Sequence, residues 1–438
     1  MTKAEDAIRT VWNHIDRETD YATELTQDLV RIPSVNPKFE TAEGLNREPE
    51  VQDRIQAEVE AMGFETERWE VFPGRPNLVS DLPGDEERSL ILCGHVDVVP
   101  TGPRADWSMD PFAADIRDGC LYGRGSIDMK SGVAACLAAA RAIRNAGIEL
   151  GGRLSIHTVV DEEAGGFGAM DALARGKTAK GAIIAEPTNR EIMPCEGGLY
   201  WVRVTIRGQQ AHAGWRYNEI WPQPGEGYRR VPGVNAVELA TRFLSALRDY
   251  ESIRCRTTHH PLMPPGLNTI NPGVVVAGAG LGEDGLPMIL GNPAIIPDVA
   301  VIDLDFKFLP NETPEEVRRE FEDFVHHFCQ QDRWLREHPI AIKWALGDLY
   351  FPPMDTPADH PLVTSLVRHQ TALGAPPAIT GFCAVTDGAH YAGAGVAPVM
   401  FGPTGDRPHG VDEYVEVASI HETTKSIAGA IIDWCGLR

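Results

Sequence analysis

ILCGHVDVVP, residues 91–100, is the stretch on which the fold turns. Ile91, Leu92 and Cys93 belong to an apolar run that reads as a buried strand, and the run ends in Gly94-His95-Val96-Asp97. A strand bound for a core would have to bury a titratable ring and a carboxylate two positions apart. Burying either group is costly unless something pairs with it. A lone histidine in such a place is ordinarily a hydrogen-bonded core residue, so the rest of the chain has to decide its meaning.

Upstream of this strand, residues 1–32 have helical spacing that stops at Ile32-Pro33, and residues 51–62 form a second helix closed by Gly63. Strands are expected at 64–72, 76–82 and 89–93. Downstream, SGVAACLAAARAIRNA (131–146) is an Ala-rich helix ended by Gly147. Strand 153–160 precedes DEEAGG, a helix covers 166–176, and strand 181–185 precedes Glu186-Pro187. Apolar strands alternating with helices predict an α/β fold, a mostly parallel sheet with helices on both faces. In such sheets the ligand site lies outside the carboxyl ends of the strands.

The middle of the chain differs. LYWVRVTIRG (199–208) alternates like an antiparallel strand with one wet face. A helix at 234–250, a Pro/Gly-rich stretch at 261–297 and a second alternating strand, IIPDVAVIDLDFKFLP (295–310), follow. TPEEVRREFEDFVHHF is then a helix opened by Thr313, with Pro314 at its first position. The expected organisation is a catalytic domain in two parts, 1–196 and 311–438, interrupted by an inserted α+β domain at 197–310. The second part closes with VAPVMFGP and a helix at 416–435.

Composition agrees with this frame. A chain of 438 residues exceeds one compact core and implies two domains. With 43% hydrophobic and 24% charged residues it has the make-up of a soluble globular protein. Acidic residues outnumber basic ones 63 to 40, for a formal charge of -23, which excludes partners that want basic stripes: nucleic acid and anionic membrane surfaces. The charged, amphipathic start does not read as a signal peptide. No apolar run reaches the roughly 20 residues needed to cross a bilayer. The eight cysteines (93, 120, 136, 195, 255, 329, 383 and 435) form no CxxC pair and suit the reduced thiols of a cytoplasmic protein.

The polar residues at strand ends can now be gathered. His95 and Asp97 follow one strand, and Asp128 lies in YGRGSIDMKSG before the Ala-rich helix. Glu162 and Glu163 follow RLSIHTVV, Glu186 follows GAIIA, and His409 lies in GPTGDRPHGVDEY after VAPVMF. All fall on the same edge of the expected sheet. Clustered carboxylates repel and resist burial unless a cation neutralises them. Two imidazoles with several carboxylates and no thiolate suit divalent zinc, manganese or cobalt, and argue against a structural zinc.

The motifs GHVDVVP, YGRGSIDMKSG, VVDEEAGG, IIAEPT, AHAG and TDGAHYAGAGVAPVMFGP leading to HGVDEY, in that order and over essentially the whole chain, carry a resemblance. The sequence resembles the co-catalytic metallohydrolases that include aminoacylase, acetylornithine deacetylase, succinyl-diaminopimelate desuccinylase and carboxypeptidase G. The resemblance implies an α/β catalytic domain interrupted by a smaller lid that mediates dimerisation. It implies His95, Asp128 and Glu186 around one divalent metal ion, and Asp128, Glu163 and His409 around a second, with Asp128 bridging. One or both sites fill. Asp97 would accept the free ring N–H of His95 and fix its tautomer. Glu162 would be the general base. His212 would stabilise the tetrahedral oxyanion, and Asn292 would reach the substrate. Thr386, Asp387 and Gly388 match the family's usual turn and carry no catalytic role.

Two departures bear on the substrate. An extra segment, WRYNEIWPQPGEGYRRV (215–231), intervenes before Pro232-Gly233-Val234-Asn235-Ala236, and makes Trp215, Arg216 and Tyr217 candidate substrate contacts. Where the family places an arginine in the second lid strand this chain has Lys307, which cannot fork onto a carboxylate in the same way. The expectation is metal-dependent hydrolysis of a carbon–nitrogen bond in a small carboxylate-bearing molecule, of the N-acyl amino acid deacylase type. Alternatives are removal of the amino group of an activated aromatic acid such as 5-nitroanthranilate, a dipeptidase or carboxypeptidase, and a metal-binding module without activity. The expected partners are that small molecule and further copies of the chain, as a homodimer or higher homo-oligomer through the lid.

Overall fold

In the computed structural model, which describes residues 2–216, 233–374 and 376–438, the strand Asp85–His95 lies near the middle of a nine-stranded sheet. Its neighbours are Gly152–Val159 on one side and Gly181–Ile184 on the other, and Ala397–Met400 follows beyond the latter. These four run parallel. The antiparallel pair Glu65–Phe72 and Arg75–Leu82 extends one side, and Ile192–Glu196, Met354–Asp355 and Ile379–Phe382 complete the other. Successive side chains of a strand face opposite ways, so one sheet serves two cores. Leu90, Leu92, Leu154, Ile156 and Ile183 join Val133 and Leu137 of the helix Ser131–Asn145 and Ile427 and Ile431 of the helix Val417–Cys435. Ile91, Cys93, Val159, Ala182 and Ile184 join Ala169 and Tyr391 on the opposite face. Helices thus cover both faces of a mostly parallel sheet.

This sheet belongs to one of two compact units, Met1–Glu196 with Met354–Arg438; the other is Gly197–Pro353. The second unit has a six-stranded sheet in which Val299–Phe308 pairs antiparallel with both Gly198–Arg207 and Ile270–Leu281. The expected end of the inserted domain at 310 is corrected to 353. Helix Pro314–Gln330 buries Val317, Phe321 and Val325 in the same core as Val202 and Phe306. Strands Ala341–Trp344 and Tyr350–Phe351 then pair with Gly198–Arg207.

Two further readings change. The expected helix over 1–32 is two, Lys3–Arg17 and Tyr21–Val30, because the stripe Ala7, Val11, Ile15 runs next into Glu18 and Thr19. The Pro/Gly-rich stretch contains the strand Ile270–Leu281, whose register shifts between Pro272 and Val274. Pro287–Ile289 pairs with it at Ala279 and Leu281, away from Pro272, and a bulged stretch open on one side tolerates proline. No helix among the described residues is long and apolar enough to cross a membrane.

Candidate metal centre

Most polar residues of the cluster are delivered by the end of a strand or by the turn beyond it. His95 is the last residue of its strand, Glu162 and Glu163 open the short turn after Gly152–Val159, and Glu186 lies two residues beyond Gly181–Ile184. Asp128 sits in the turn Ser126–Lys130 that leads into Ser131–Asn145. That helix can start so close to the strand ends only because Gly132 lacks a side chain: a Cβ there would lie 1.9 Å from the Ala185 carbonyl oxygen.

Asp128 divides its carboxylate between the two imidazoles, with Oδ1 3.1 Å from His95 Nε2 and Oδ2 3.2 Å from His409 Nε2. His409 Nε2 is also 2.9 Å from Glu163 Oε2, and His95 Nε2 is 3.8 Å from Glu162 Oε2. Ligand atoms of His95, Asp128 and Glu163 all lie within 4.8 Å of one another. Glu186 is outside that trio but buried, and its Oε1 has no hydrogen-bond partner among the described residues.

The charges do not balance. Burial pushes Glu162 and Glu186 well above the usual carboxylate range, and burial with the Asp128 charge also raises Glu163. Burial works against the His95 imidazolium, but Asp128, Glu162 and Glu186 overcome it and raise His95 well above an ordinary histidine. Hydrogen bonds to Asp128 and Glu163 lift His409 to about 10. Burial opposes ionisation of Asp128, yet hydrogen bonds from His409 and His95 hold its carboxyl below the usual range. The acid-and-imidazole donor set and the orphaned Glu186 oxygen fit a divalent metal ion.

The expected role of the Asp97 carboxylate needs correction. His95 Nδ1 is 2.9 Å from the backbone carbonyl of Asp97 and 3.8 Å from its Oδ1, so the main chain takes the ring N–H. The carboxylate instead accepts from Asn36 Nδ2 at 2.8 Å and from the Glu162 backbone N–H at 3.2 Å. Sequence reasoning also missed Glu413, which is fully buried and accepts the backbone N–H groups of Gly125, Ile127 and Asp128 at 3.0–3.2 Å while pairing with Arg124. It braces the turn that carries Asp128. Its motif HGVDEY was visible, but nothing local marks which acid turns inward.

The remaining candidates belong to the second unit. His212 is exposed, and its Nδ1 accepts the Gly214 N–H at 3.0 Å, so a neutral ring carries its proton on Nε2. Trp215 lies beside it, ring centroids 5.8 Å apart. Arg216 pairs with Glu238. Asn292 Oδ1 accepts the Ala294 N–H within its own turn, and Lys307 lies opposite Leu199 in the strand pairing. Tyr217 is outside the described residues.

The sequence profile of Peptidase family M20/M25/M40 matches residues 91–433. The chain belongs to the M20/M25/M40 peptidase family. This M20 chain is 32% identical to the N-formyl-4-amino-5-aminomethyl-2-methylpyrimidine deformylase of Halalkalibacterium halodurans, over 97% of each chain. It is 29% identical to a succinyl-diaminopimelate desuccinylase of Methylobacterium radiotolerans, over 94% of this chain and 96% of the other. Among solved structures, aminopeptidase PepT from Bacillus cereus superposes with a TM-score of 0.70 at 20% identity, covering 95% of this chain and 98% of that one. At that identity the likeness speaks for the fold. As an M20 protein the chain is a metallohydrolase acting on a carbon–nitrogen bond, which sets aside a metal-binding module without activity.

Proposed function

We propose that this enzyme is an N-deacylase that removes a short acyl group, formyl foremost, from the nitrogen of a small amine. The observation that carries the reading is the near-full-length similarity to a deformylase, joined to a largely buried acid-and-imidazole cluster at the carboxyl edge of the sheet. His95, Asp128 and Glu186 would hold one divalent ion and Asp128, Glu163 and His409 a second, with zinc, manganese and cobalt all suited to these donors. Such a cation, when bound, polarises an amide carbonyl and makes water nucleophilic at neutral pH. Glu162 takes the proton of the attacking water and delivers it to the leaving nitrogen. Asp97 steadies Glu162 through the backbone N–H it accepts. His212 offers its Nε2–H to the developing oxyanion, a role that its tautomer supports. Trp215, Arg216, Tyr217, Asn292 and Lys307 are the proposed substrate contacts, Arg216 exchanging Glu238 for any carboxylate the amine carries.

The proposed protein partner is a second copy of the chain, met through the second unit. In its strand Ile270–Leu281, Val274 and Val275 are exposed ahead of the residues that pair with Pro287–Ile289, and an open stretch of strand of this kind invites pairing. None of the cysteines forms a disulfide, which supports a reducing, cytoplasmic setting.

The test is a panel of N-formyl, N-acetyl and N-succinyl amines, with and without a carboxylate, beside dipeptides. Release of a free acid and amine, fastest for formyl, is expected. Ammonia release from an aromatic amine without an acid product, or faster cleavage of dipeptides, would overturn the deacylase reading.

A further inference from the structure

Immediately before the two glutamates stands Asp161, whose backbone is left-handed (φ 71°, ψ 21°) and whose side chain is fully buried. Left-handed backbone is disfavoured for residues other than glycine, though least for Asp and Asn, so something must hold it. Arg75 Nη1 lies 2.7 Å from Asp161 Oδ1, and the same guanidinium binds Glu48 at 2.6 and 2.8 Å through its other two nitrogens. Lys38 Nζ lies 2.5 Å from Asp161 Oδ2, between the rings of Phe72 and Phe167 at 4.8 and 4.3 Å. Asn36 uses one amide nitrogen to join Asp161 Oδ1, at 3.1 Å, to Asp97 Oδ2, at 2.8 Å. Asp97 in turn accepts the N–H of Glu162. The Glu162 turn is therefore gripped on both sides of its first peptide, by charges drawn from a loop, a helix start and a strand.

Buried ion pairs are a poor way to gain stability, since well-packed apolar residues of similar size often do as well or better. Four buried or half-buried charges converging on one turn need another reason. We propose that Asp161, held by Arg75 and Lys38, is a positioning residue that aims the Glu162 carboxylate at the reacting atoms. This rests on the reading of Glu162 as the base.

The test uses the metal-loaded full chain. Asp161→Asn keeps size and tolerance of the left-handed backbone but removes the charge that Arg75 and Lys38 grip. It should lower kcat about 10- to 100-fold, the range typical of residues that orient a site from behind. Metal content should stay at the wild-type ratio and KM within about twofold, as for an interaction made in the transition state. Arg75→Met should do likewise, and the double variant should lose no more than the worse single one, because both disable one device. Wild-type kcat in Asp161→Asn, or a loss of kcat in folded protein that follows loss of metal, would overturn the proposal. Should Asp161→Asn fail to fold, Lys38→Met at the exposed rim replaces it: a drop in kcat at unchanged KM and metal content supports the device, and wild-type kcat overturns it. Glu162→Gln measured alongside separates the two ideas. A fully active Glu162→Gln removes the base itself, whereas an inactive Glu162→Gln with a fully active Asp161→Asn removes only the positioning role.

Discussion

Acids meet imidazoles beside both ends of the strand Asp85–His95. Near its amino end, in a cleft shared with Arg88, Asp433 accepts from Ser365 Oγ at 2.5 Å and from His369 Nε2 at 2.6 Å, and also pairs with Arg368. One carboxylate faces three donors and is satisfied. At the carboxyl end, Asp128, Glu162 and Glu163 meet His95 and His409, and among the described residues Glu186 Oε1 has no hydrogen-bond partner. The lesson is that acidic and imidazole side chains do not mark a site by being present together. An excess of acceptors over donors does, because only a cation or added protons can hold such a group together in a buried place.

Removing the cation is the sharpest way to break this contrast. Chelation should abolish turnover, and zinc, manganese or cobalt should restore it. Full turnover in protein shown by elemental analysis to be metal-free would end the metallohydrolase mechanism drawn here. Next in size is Glu162→Gln, which keeps shape but removes the base. Its kcat should fall about 10²- to 10⁴-fold with metal retained, and a fall of less than about tenfold would take the role from Glu162. Glu163→Gln should instead reduce metal content, so elemental analysis distinguishes the two neighbours.

His212→Ala tests whether the second unit contributes to the chemistry. Loss of one oxyanion donor costs about 10²- to 10³-fold in kcat, and an unchanged kcat would confine His212 to its turn. The smallest effect belongs to the balanced cluster. Asp433→Asn should leave kcat alone and destabilise the fold by about 1 kcal/mol at neutral pH, the scale of one partly exposed charged hydrogen-bond set. Burial works to raise the Asp433 carboxyl, but hydrogen bonds from His369 and Ser365 bring it below its ordinary value. A depressed folded pKa gives stability above the unfolded value of about 3.9 and loses it as pH falls through the folded one. The gap between Asp433→Asn and wild type in denaturant unfolding should therefore close below about pH 4. A gap that persists in acid would mean the side chain acts by packing.

The sequence by itself determined what is local. The apolar run ending in Gly94-His95, the Ala-rich helix and the acids after each strand lie within a few residues of the elements that deliver them. Periodicity and turn residues therefore place them at one edge of a parallel sheet. The strand inside the Pro/Gly-rich stretch stayed hidden because pairing with Val299–Phe308, not propensity, makes it a strand. Tertiary structure alone decided the rest. Arg75 meets Glu48 across 27 positions and Asp161 across 86, and Arg124 meets Glu413 across 289. No motif records such a pairing, since each partner is an ordinary charged residue until the fold buries it. The same is true of the Asp97 carboxylate, which turns from His95 to the Glu162 backbone, and of the domain boundary at 353, set by which sheet the later strands join. Hydrogen bonds and ion pairs of this kind depend on where chains cross, and that is a property of the packed molecule and not of any window of its sequence.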